Sequence, residues 1–308
     1  MMEYSFQRYL AAKKTVDDRA LNGKVWNALE IELDILQLHR SVNILEVGAG
    51  IGTMIQRILD KRMVRKARYK AIDELPENIQ YPQGYLKDWA EKEGWEWQSS
   101  NEELFLQKNE SFVQVSLESV DVNDFVRRKQ ELQAWDLLIA NAFLDLFDVQ
   151  SILPTLRRFI TPGGLAYFTI NFDGQTEFEP VLDRELEDRI ISAYHRSMDE
   201  RVTNGKPSGD SQTGRHLFRL LPREGFEILE AGSSDWVVYS RDGIYPADEA
   251  YFLHHLIHFF EESLQGRPEI SQAELAGWAS QRHAQIERGE LVYIAHQMDF
   301  LARVPKRG

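Results

Sequence analysis

The chain has 308 residues, of which 36 are basic, 49 are acidic and none is cysteine. Its formal charge of −13 disfavours binding to nucleic acid, because affinity for a phosphate backbone depends on lysine and arginine side chains. Without cysteine the chain forms neither a disulfide nor a thiolate metal site, which is usual for cytoplasmic proteins. No run of about 18 uncharged apolar residues occurs, so we expect a cytoplasmic protein that neither enters a membrane nor binds nucleic acid.

The first segment with a chemical signature is a strand that runs into a glycine-rich turn at residues 44–52. The strand ends near the acidic residue Glu46. The turn that follows has glycine at three alternate positions, Gly48, Gly50 and Gly52. Glycine adopts positive φ angles readily and lets a ligand approach the backbone closely. A helix is predicted from Thr53 onward, and the natural occupant of such a unit is an adenosine-type ligand.

The glycine spacing separates this turn from a dinucleotide-binding loop. That loop has the pattern G-x-G-x-x-G, whereas here Thr53 stands where its third glycine belongs. In addition, Glu46 would repel a pyrophosphate but would pair with an ammonium group. A nicotinamide dinucleotide is therefore less favoured, and a strand-to-helix turn that binds no ligand is the simplest alternative.

A second predicted strand, residues 69–73, ends at Asp73. Apolar residues recur at helical spacing between the two strands, so the segment is a β-α-β unit. Asp73 lies 21 residues after Gly52 (73 minus 52), the offset at which nucleotide-binding folds place an acid for ribose hydroxyls. The alternative is that Asp73 caps a helix starting at Glu74, and the two roles are compatible.

The pattern E-x-G-x-G-x-G at residues 46–52, followed by an acid after the second strand, resembles motifs I and II of the class I S-adenosylmethionine-dependent methyltransferases. The resemblance covers about residues 40–175, 214–240 and 290–304. It implies an α/β, Rossmann-like, doubly wound sheet of seven mostly parallel strands with an antiparallel last strand. It also implies S-adenosyl-L-methionine as the cofactor.

Two further predicted strands carry the other motifs of the family. Alternating apolar residues at 112–117 precede Asp121, which matches the acid that holds adenine in the family. Glu118 and Asp124 are close alternatives for that role. The next apolar strand ends at Asn141 and resembles motif IV, although Asn141 is alternatively a polar turn residue. The cofactor contacts that the resemblance implies are Glu46, Gly48, Ala49, Gly50, Gly52, Asp73, Glu74, Asp121, Val122, Asn141 and Ala142.

The second half of the chain supplies the remaining strands. A helix around residues 216–221 is predicted to end at Pro222 and Gly225. A helical pair at about 246–265 and 271–288 separates the last two strands. The strands that complete the family's seven are predicted at residues 165–170, 226–233 with a continuation at 236–239, and 291–304.

Three segments are additional to a seven-stranded sheet, and we predict that they form a lid over the substrate. We assign residues 1–38 to an N-terminal helical cap and residues 39–308 to the methyltransferase domain, with inserts at about 177–213 and 241–289. Ligands of open α/β sheets bind at the carboxyl ends of the strands. Segments that precede strand one or follow strand five can therefore close over that edge and exclude water.

Polar loop residues beyond the sheet are the candidates for contact with the substrate, although such loops are often polar only because they are solvated. These candidates are Asn171, Asp173, Asp210, Arg215, Asp235 and Trp236. A sulfonium methyl group is already activated, so a general base is needed only when the acceptor must lose a proton. We expect His216 or His195 to be that base, because histidine titrates near neutral pH.

His254 and His258 lie four residues apart on a predicted helix, a spacing that also occurs in zinc-binding motifs. Those motifs place a catalytic glutamate between the two histidines, whereas here the intervening residues are His255, Leu256 and Ile257. The many aromatic neighbours indicate a buried structural helix, and we predict no bound metal.

The expected function is transfer of a methyl group from S-adenosylmethionine to a small-molecule acceptor by in-line displacement. Two alternatives stay open. One is a NAD(P)-dependent oxidoreductase of the Rossmann type, and the other is a non-catalytic protein that binds the cofactor within the same fold. The sequence determines neither the acceptor and its methylated atom nor the oligomeric state.

Overall fold

A central mixed sheet with helices on both faces dominates the computed structural model, which describes residues 4–38, 40–100, 103–203 and 205–306. The strands are β1 (Val42–Val47), β2 (Lys66–Asp73), β3 (Glu96–Ser100), β4 (Glu103–Lys108), β5 (Ser111–Ser119), β6 (Trp135–Asn141), β7 (Ile160–Glu179), β8 (Val202–Thr203), β9 (Lys206–Pro207), β10 (Glu227–Ser233), β11 (Trp236–Val238) and β12 (Val292–Arg303). The helices are α1 (Phe6–Ala20), α2 (Gly23–Gln37), α3 (Thr53–Asp60), α4 (Pro76–Lys92), α5 (Val122–Phe125), α6 (Val149–Arg157), α7 (Arg184–Asp199), α8 (Thr213–Arg223), α9 (Glu249–Leu264) and α10 (Gln272–Glu287).

The strand order of the sheet is β10-β12-β7-β6-β1-β2-β5-β4-β3. Strands β5, β2, β1, β6 and β7 are parallel neighbours, which is the order 3-2-1-4-5 of a doubly wound Rossmann sheet. The last strand, β12, lies antiparallel between β7 and β10. The predicted fold class, seven mostly parallel strands with an antiparallel last strand, is therefore confirmed.

Two details of the sheet and one of a helix differ from the prediction. The polar stretch before β5 forms the antiparallel hairpin β3–β4, which extends the edge of the sheet beyond β5. The predicted continuation of the sixth strand is a separate strand, β11, which pairs only with β12. Helix α8 includes Pro222 and ends one residue later, at Arg223, so the proline lies in its last turn and does not precede the helix end as predicted.

The alternation of apolar residues along the central strands explains the two layers of helices. Ile44 of β1 belongs to a core with α2, α3 and α4, whereas its neighbour Leu45 belongs to a core with α5, α6 and α8. Successive side chains of a strand point to opposite faces, so a central strand covered on both sides is apolar throughout. In β6 every residue from Trp135 to Ala140 is buried.

Strand β7 is 20 residues long, far longer than the strand predicted at residues 165–170. It pairs with β6 as far as Thr169 and then continues beyond the carboxyl edge of the sheet, paired with β12 up to Glu179. The transition lies at Ile170, which has a positive φ of 56° and donates its N–H to the Asp299 carboxylate at 2.7 Å. The β7–β12 ribbon therefore projects from the sheet towards the predicted lid.

A third core forms around this ribbon and defines the cap of the molecule. Helices α1, α7, α9 and α10 pack there against the ends of β7, β11 and β12, with Phe178, Phe260 and Trp278 among its fully buried side chains. The predicted helical pair is confirmed as α9 and α10. Helix α2 packs instead against the sheet, so the predicted cap at residues 1–38 divides between two layers. No helix in the described ranges combines the length and apolar character that a membrane span requires.

Candidate functional site

The glycine turn lies at the carboxyl end of β1, and all three of its glycines have positive φ angles, 63° at Gly48, 53° at Gly50 and 78° at Gly52. A Cβ added to Gly48 would lie 2.3 Å from Cδ2 of Phe143, and one added to Gly50 would lie 3.2 Å from Cδ1 of Leu10. Any other residue at Gly48 would therefore clash as well as strain the backbone. The turn is in close contact with the segment after β6 and with α1.

Asp73, at the end of β2, fixes the glycine turn. Its Oδ2 accepts a hydrogen bond from the N–H of Gly50 at 2.8 Å, and its Oδ1 accepts from the N–H of Leu75 and the side-chain amide of Asn78. The residue is buried. Leu75 is the N-cap of α4, so the alternative that Asp73 caps a helix from Glu74 is wrong. If Asp73 also binds the ribose as predicted, its carboxylate would accept a hydrogen bond from a ribose hydroxyl in addition to those that order the turn.

Glu46 is buried at the end of β1 and accepts a 2.7 Å hydrogen bond from the hydroxyl of Tyr69. Burial raises the pKa of Glu46 to about 8, against the opposing effects of the Tyr69 hydroxyl and the charge of Arg57. Arg57, on α3, is itself buried and pairs with Asp18 of α1 at 2.5 Å and with Asp17 at 3.6 Å. The acid predicted to hold an ammonium group is thus linked electrostatically to α1.

The sheet order brings the other predicted cofactor residues to the same edge, because β1, β2, β5 and β6 are neighbours. Asp121 accepts a 2.6 Å hydrogen bond from the N–H of Asn123 and caps α5. Asn141 Oδ1 accepts a hydrogen bond from the Thr169 hydroxyl at 2.9 Å. Val122 is buried, Glu74 is exposed, and Ala142 has a positive φ of 50°.

Asp210 and His216 form a dyad at the start of α8. Their Oδ2 and Nδ1 atoms are 2.6 Å apart, and the other Asp210 oxygen accepts the N–H of Gln212 at 2.9 Å. A carboxylate that is held in this way orients the imidazole and leaves its Nε2 for a reacting group. The dyad has the geometry expected of a general base, at a His216 side chain that is 39% exposed.

The other predicted substrate residues divide into two groups. Asp173 accepts from Arg215 Nε at 2.9 Å, and His296 bridges to both Asp173 at 3.5 Å and Asp235 at 2.7 Å. These four side chains form one polar cluster beside the β7–β12 ribbon, to which α8 contributes Arg215 and the β10–β11 turn contributes Asp235. The sequence does not single out His296, because it stands alone among strand residues. The indole N–H of Trp236 donates instead to Asp17 of α1 at 2.9 Å.

Two further predicted residues are enclosed by neighbours. Asn171 is fully buried and donates its amide to the carbonyl of Met298 at 2.8 Å. His195, on α7, lies 3.3 Å from the hydroxyl of Thr176 and edge-on to the ring of Phe172. Burial lowers the pKa of His195, so its imidazole is neutral near pH 7. If His195 is the general base, it is therefore already in the neutral form that can accept a proton.

The histidines of α9 make contacts within the cap. His254 and His283 meet through their Nδ1 atoms at 2.7 Å, and His258 stacks on Tyr4 with ring centroids 4.1 Å apart. Burial lowers the pKa of both His254 and His255 to about 4, so these rings are neutral at physiological pH. In the described part of the chain, no group of three or more histidine, aspartate or glutamate residues has the arrangement of a metal site.

One acidic residue at this edge was missed by the sequence reading. Asp145 lies in a short 3-10 turn, Leu144–Leu146, directly after β6. Its Oδ1 atom is buried and has no hydrogen-bond partner within the ranges that the structure describes. Burial raises the pKa of Asp145 to about 6. The only sequence signal is an acid between two leucines shortly after Asn141, which is too common a pattern to stand out.

Two surface cavities lie at the opposite edge of the sheet. One has a volume of about 250 Å³ and is lined by Arg40, Lys306 and the turn before the buried part of β7. The other, of about 290 Å³, lies beside Arg157 and Pro305. Neither is lined by a predicted site residue, and ligands of open α/β sheets bind at the carboxyl edge. We therefore assign no function to them.

No protein-family model matches the chain, and no curated protein sequence matches it. Several solved structures resemble it at low similarity. They include the cyclopropane synthase MmaA2 from Mycobacterium tuberculosis (9% identity, 92% of this chain and 88% of that one, TM-score 0.45). They also include the geranyl diphosphate C-methyltransferase from Streptomyces coelicolor A3(2) (9%, 90% and 75%, 0.42) and the [4+2]-cyclase SpnF (15%, 90% and 82%, 0.42). Likeness at these TM-scores carries no inference about the activity of this chain.

Proposed function

We propose that the chain is an S-adenosylmethionine-dependent methyltransferase that acts on a small-molecule acceptor by in-line transfer. The observation that carries the proposal is the glycine turn at the carboxyl end of β1, whose three glycines have positive φ angles and whose Gly50 N–H is held by Asp73. The acid Glu46 precedes this turn, and Asp121 follows β5, the strand on the far side of β2, as the N-cap of α5.

These residues fit the chemical groups of the cofactor. The donors of S-adenosylmethionine are an ammonium group, the ribose hydroxyls and the adenine amine, and the edge offers three acids as acceptors: Glu46 in β1, Asp73 at the end of β2 and Asp121 after β5. Glu46, whose pKa burial raises to about 8, would ionise when the ammonium group binds beside it. Glycines at positions 48 and 50 allow the positive φ angles of the turn and let neighbouring side chains lie close to its backbone. Leu10 and Phe143 lie against the turn and supply apolar walls. When bound, S-adenosylmethionine supplies an activated sulfonium methyl group.

The residues of the chain then have four tasks. The cap excludes water from the carboxyl edge, and the turn and acids orient the cofactor, so that binding supplies the proximity on which a two-substrate transfer depends. For an acceptor that must lose a proton, the Asp210–His216 dyad supports His216 as the base, with His195 as the other candidate. The polar cluster around Asp173 and Arg215 is available for polar groups of the acceptor.

Calorimetric titration of the full chain tests the proposal directly. We expect S-adenosylmethionine and S-adenosylhomocysteine to bind and NAD(P) not to bind. The variant Gly50→Ala should lose at least tenfold in affinity, because its Cβ would strain the backbone and crowd the turn. Gly94→Ala is the matched control, since Gly94 also has a positive φ, 70°, but no atom within 4 Å of an added Cβ.

The other outcomes separate the alternatives. Binding of NAD(P) without S-adenosylmethionine would favour an oxidoreductase. Binding of S-adenosylmethionine without transfer of a labelled methyl group to any metabolite fraction would favour a non-catalytic binding protein. Equal loss of affinity in the Gly50 and Gly94 variants would show that the cofactor does not lie on the glycine turn.

A further inference from the structure

The strongest unexplained feature at the carboxyl edge is the carboxylate of Asp145. Its Oδ1 atom is fully buried without a hydrogen-bond partner in the described part of the chain. An unpaired buried polar atom destabilises the folded state, and a charged one does so more strongly, so proteins seldom keep one without a reason. The carboxylate lies on the turn that follows β6, two residues beyond the ring that contacts Gly48.

Charged side chains near Asp145 come from α1 and from the segment between α7 and α8. The charges that act on it belong to Arg201 and Lys13, which lower its pKa, and to Asp210, which raises it. Lys13 follows Leu10 by three residues on α1, so the two share a helix face. Because Leu10 contacts Gly50, one face of α1 reaches from the glycine turn to the surroundings of Asp145.

Two tyrosines from the cap also face this region. Burial is the main reason why the pKa values of Tyr9 on α1 and Tyr194 on α7 are raised. The negative charge of Asp145 raises both values further, so both phenols lie near it. Neither hydroxyl makes a hydrogen bond to another residue of the described ranges. Asp145 therefore has two protonated phenols in its electrostatic surroundings, while its Oδ1 atom has no donor within the described ranges.

We propose that Asp145 binds the methyl acceptor, by accepting a hydrogen bond from an N–H or O–H group on the atom that receives the methyl group. This inference rests on the proposed function, and it narrows the substrate to amines and alcohols or phenols. An acceptor that reacts at carbon, or at the sulfur of a thioether, would bring no such donor and would leave Oδ1 unpaired. Sites built to bond a polar hydrogen reject ligands that lack it.

The aspartate at position 148 provides a matched control three residues further along the chain. Its carboxylate caps α6 and accepts from the N–H of Gln150 and the hydroxyl of Ser151, so it already has its partners. A leucine in its place removes a helix cap, whereas a leucine at Asp145 removes an unpaired buried oxygen. The two substitutions should therefore act on stability in opposite directions.

The first measurement needs no acceptor. We expect Asp145→Leu to raise the thermal unfolding midpoint of the ligand-free full chain and Asp148→Leu to lower it. A lower midpoint for Asp145→Leu would mean that the carboxylate stabilises the fold, and the proposal would be overturned. This comparison tests whether the Asp145 carboxylate destabilises the ligand-free fold, and it requires no identified acceptor.

The second measurement uses labelled S-adenosylmethionine and a small-molecule extract of the cells that make the protein. We expect the labelled product to carry an N-methyl or an O-methyl group, which mass spectrometry distinguishes. Asp145→Asn should reduce the rate of transfer at limiting acceptor by about 10- to 100-fold, the loss of one charged hydrogen bond. Asp148→Asn should leave it unchanged, and cofactor affinity should stay within twofold in both variants.

The outcomes separate this inference from the function on which it rests. A C-methyl or sulfonium product, or full activity of Asp145→Asn, would overturn the role of Asp145 while leaving the methyltransferase proposal intact. Absence of S-adenosylmethionine binding in the unaltered chain would remove both.

Discussion

At the scale of single residues, Glu46 is buried, and the hydrogen bond from Tyr69 offsets only part of the cost of burying its charge. Its pKa is raised by burial to about 8, from an ordinary value near 4.5. A carboxyl group whose pKa is raised in the folded state contributes its full stability below its unfolded pKa and loses it as the pH rises through the folded one. The window for this loss is therefore about pH 4.5 to 8.

The substitution Glu46→Gln should remove that pH dependence. We expect the variant to gain stability relative to the unaltered chain as the pH rises from 5 to 9, by a few kcal/mol, because a shift of one pKa unit corresponds to about 1.4 kcal/mol. Urea unfolding at both pH values measures the difference. Glu74→Gln, at an exposed position near the same edge, should show no such change. Parallel pH profiles for the Glu46 variant and the unaltered chain would contradict the assignment.

His216 is the residue at which catalysis and binding can be separated. We expect His216→Ala to lower turnover by about 10²- to 10⁴-fold, the usual contribution of a general base, with little effect on cofactor affinity. Turnover by labelled-methyl transfer and affinity by calorimetry are the two measurements. His258→Ala is a suitable control, because that ring stacks on Tyr4 within the cap. Unchanged turnover in His216→Ala would exclude it as the base.

At the scale of elements, α1 determines how the glycine turn is covered. It contributes Leu10 over Gly50, and its acids Asp17 and Asp18 pair with the buried Arg57 of α3. Breaking a buried ion pair from one side is far more costly than breaking an exposed one, because the remaining charges lose their compensation. The attachment of α1 to the sheet therefore depends strongly on one arginine.

Arg57→Met should loosen α1 selectively. We expect a loss of about 3 to 5 kcal/mol in unfolding free energy and faster hydrogen exchange of the α1 amides. Arg189→Met is the control, because the pair of Arg189 with Glu274 is exposed and should contribute little. If exchange rises uniformly over the chain, or not at all in α1, the attachment does not depend on this cluster.

At the scale of the whole molecule, the central sheet and the helical pair α9–α10 were predictable, whereas the edge hairpin and the β7–β12 ribbon were not. The β-α-β unit and the buried strands β1, β2 and β6 have apolar patterns that local physics determines, and the turn at Gly48 requires its residue type. The hairpin β3–β4 was missed because exposed edge strands carry polar side chains that resemble a loop. The continuation of β7 depends on pairing with β12, more than a hundred residues away, which no local pattern contains.

The candidate site divides in the same way. The residues at strand ends follow from the order of strands, which the β-α-β pattern indicates. Asp145 could not be found, because its importance lies in the absence of a partner for one oxygen, and that depends on which side chains the fold brings around it. His296 was missed for a related reason, since only the register of β12 against β7 brings it to Asp173.

The continuation of β7 beyond the edge of the sheet has a mechanical consequence. Domains that open like jaws usually bend at a few loop residues, but here two paired strands pass from the sheet into the cap without a loop between them. Two paired strands resist bending more than a single loop does, so we expect little rigid-body rotation of the cap relative to the sheet.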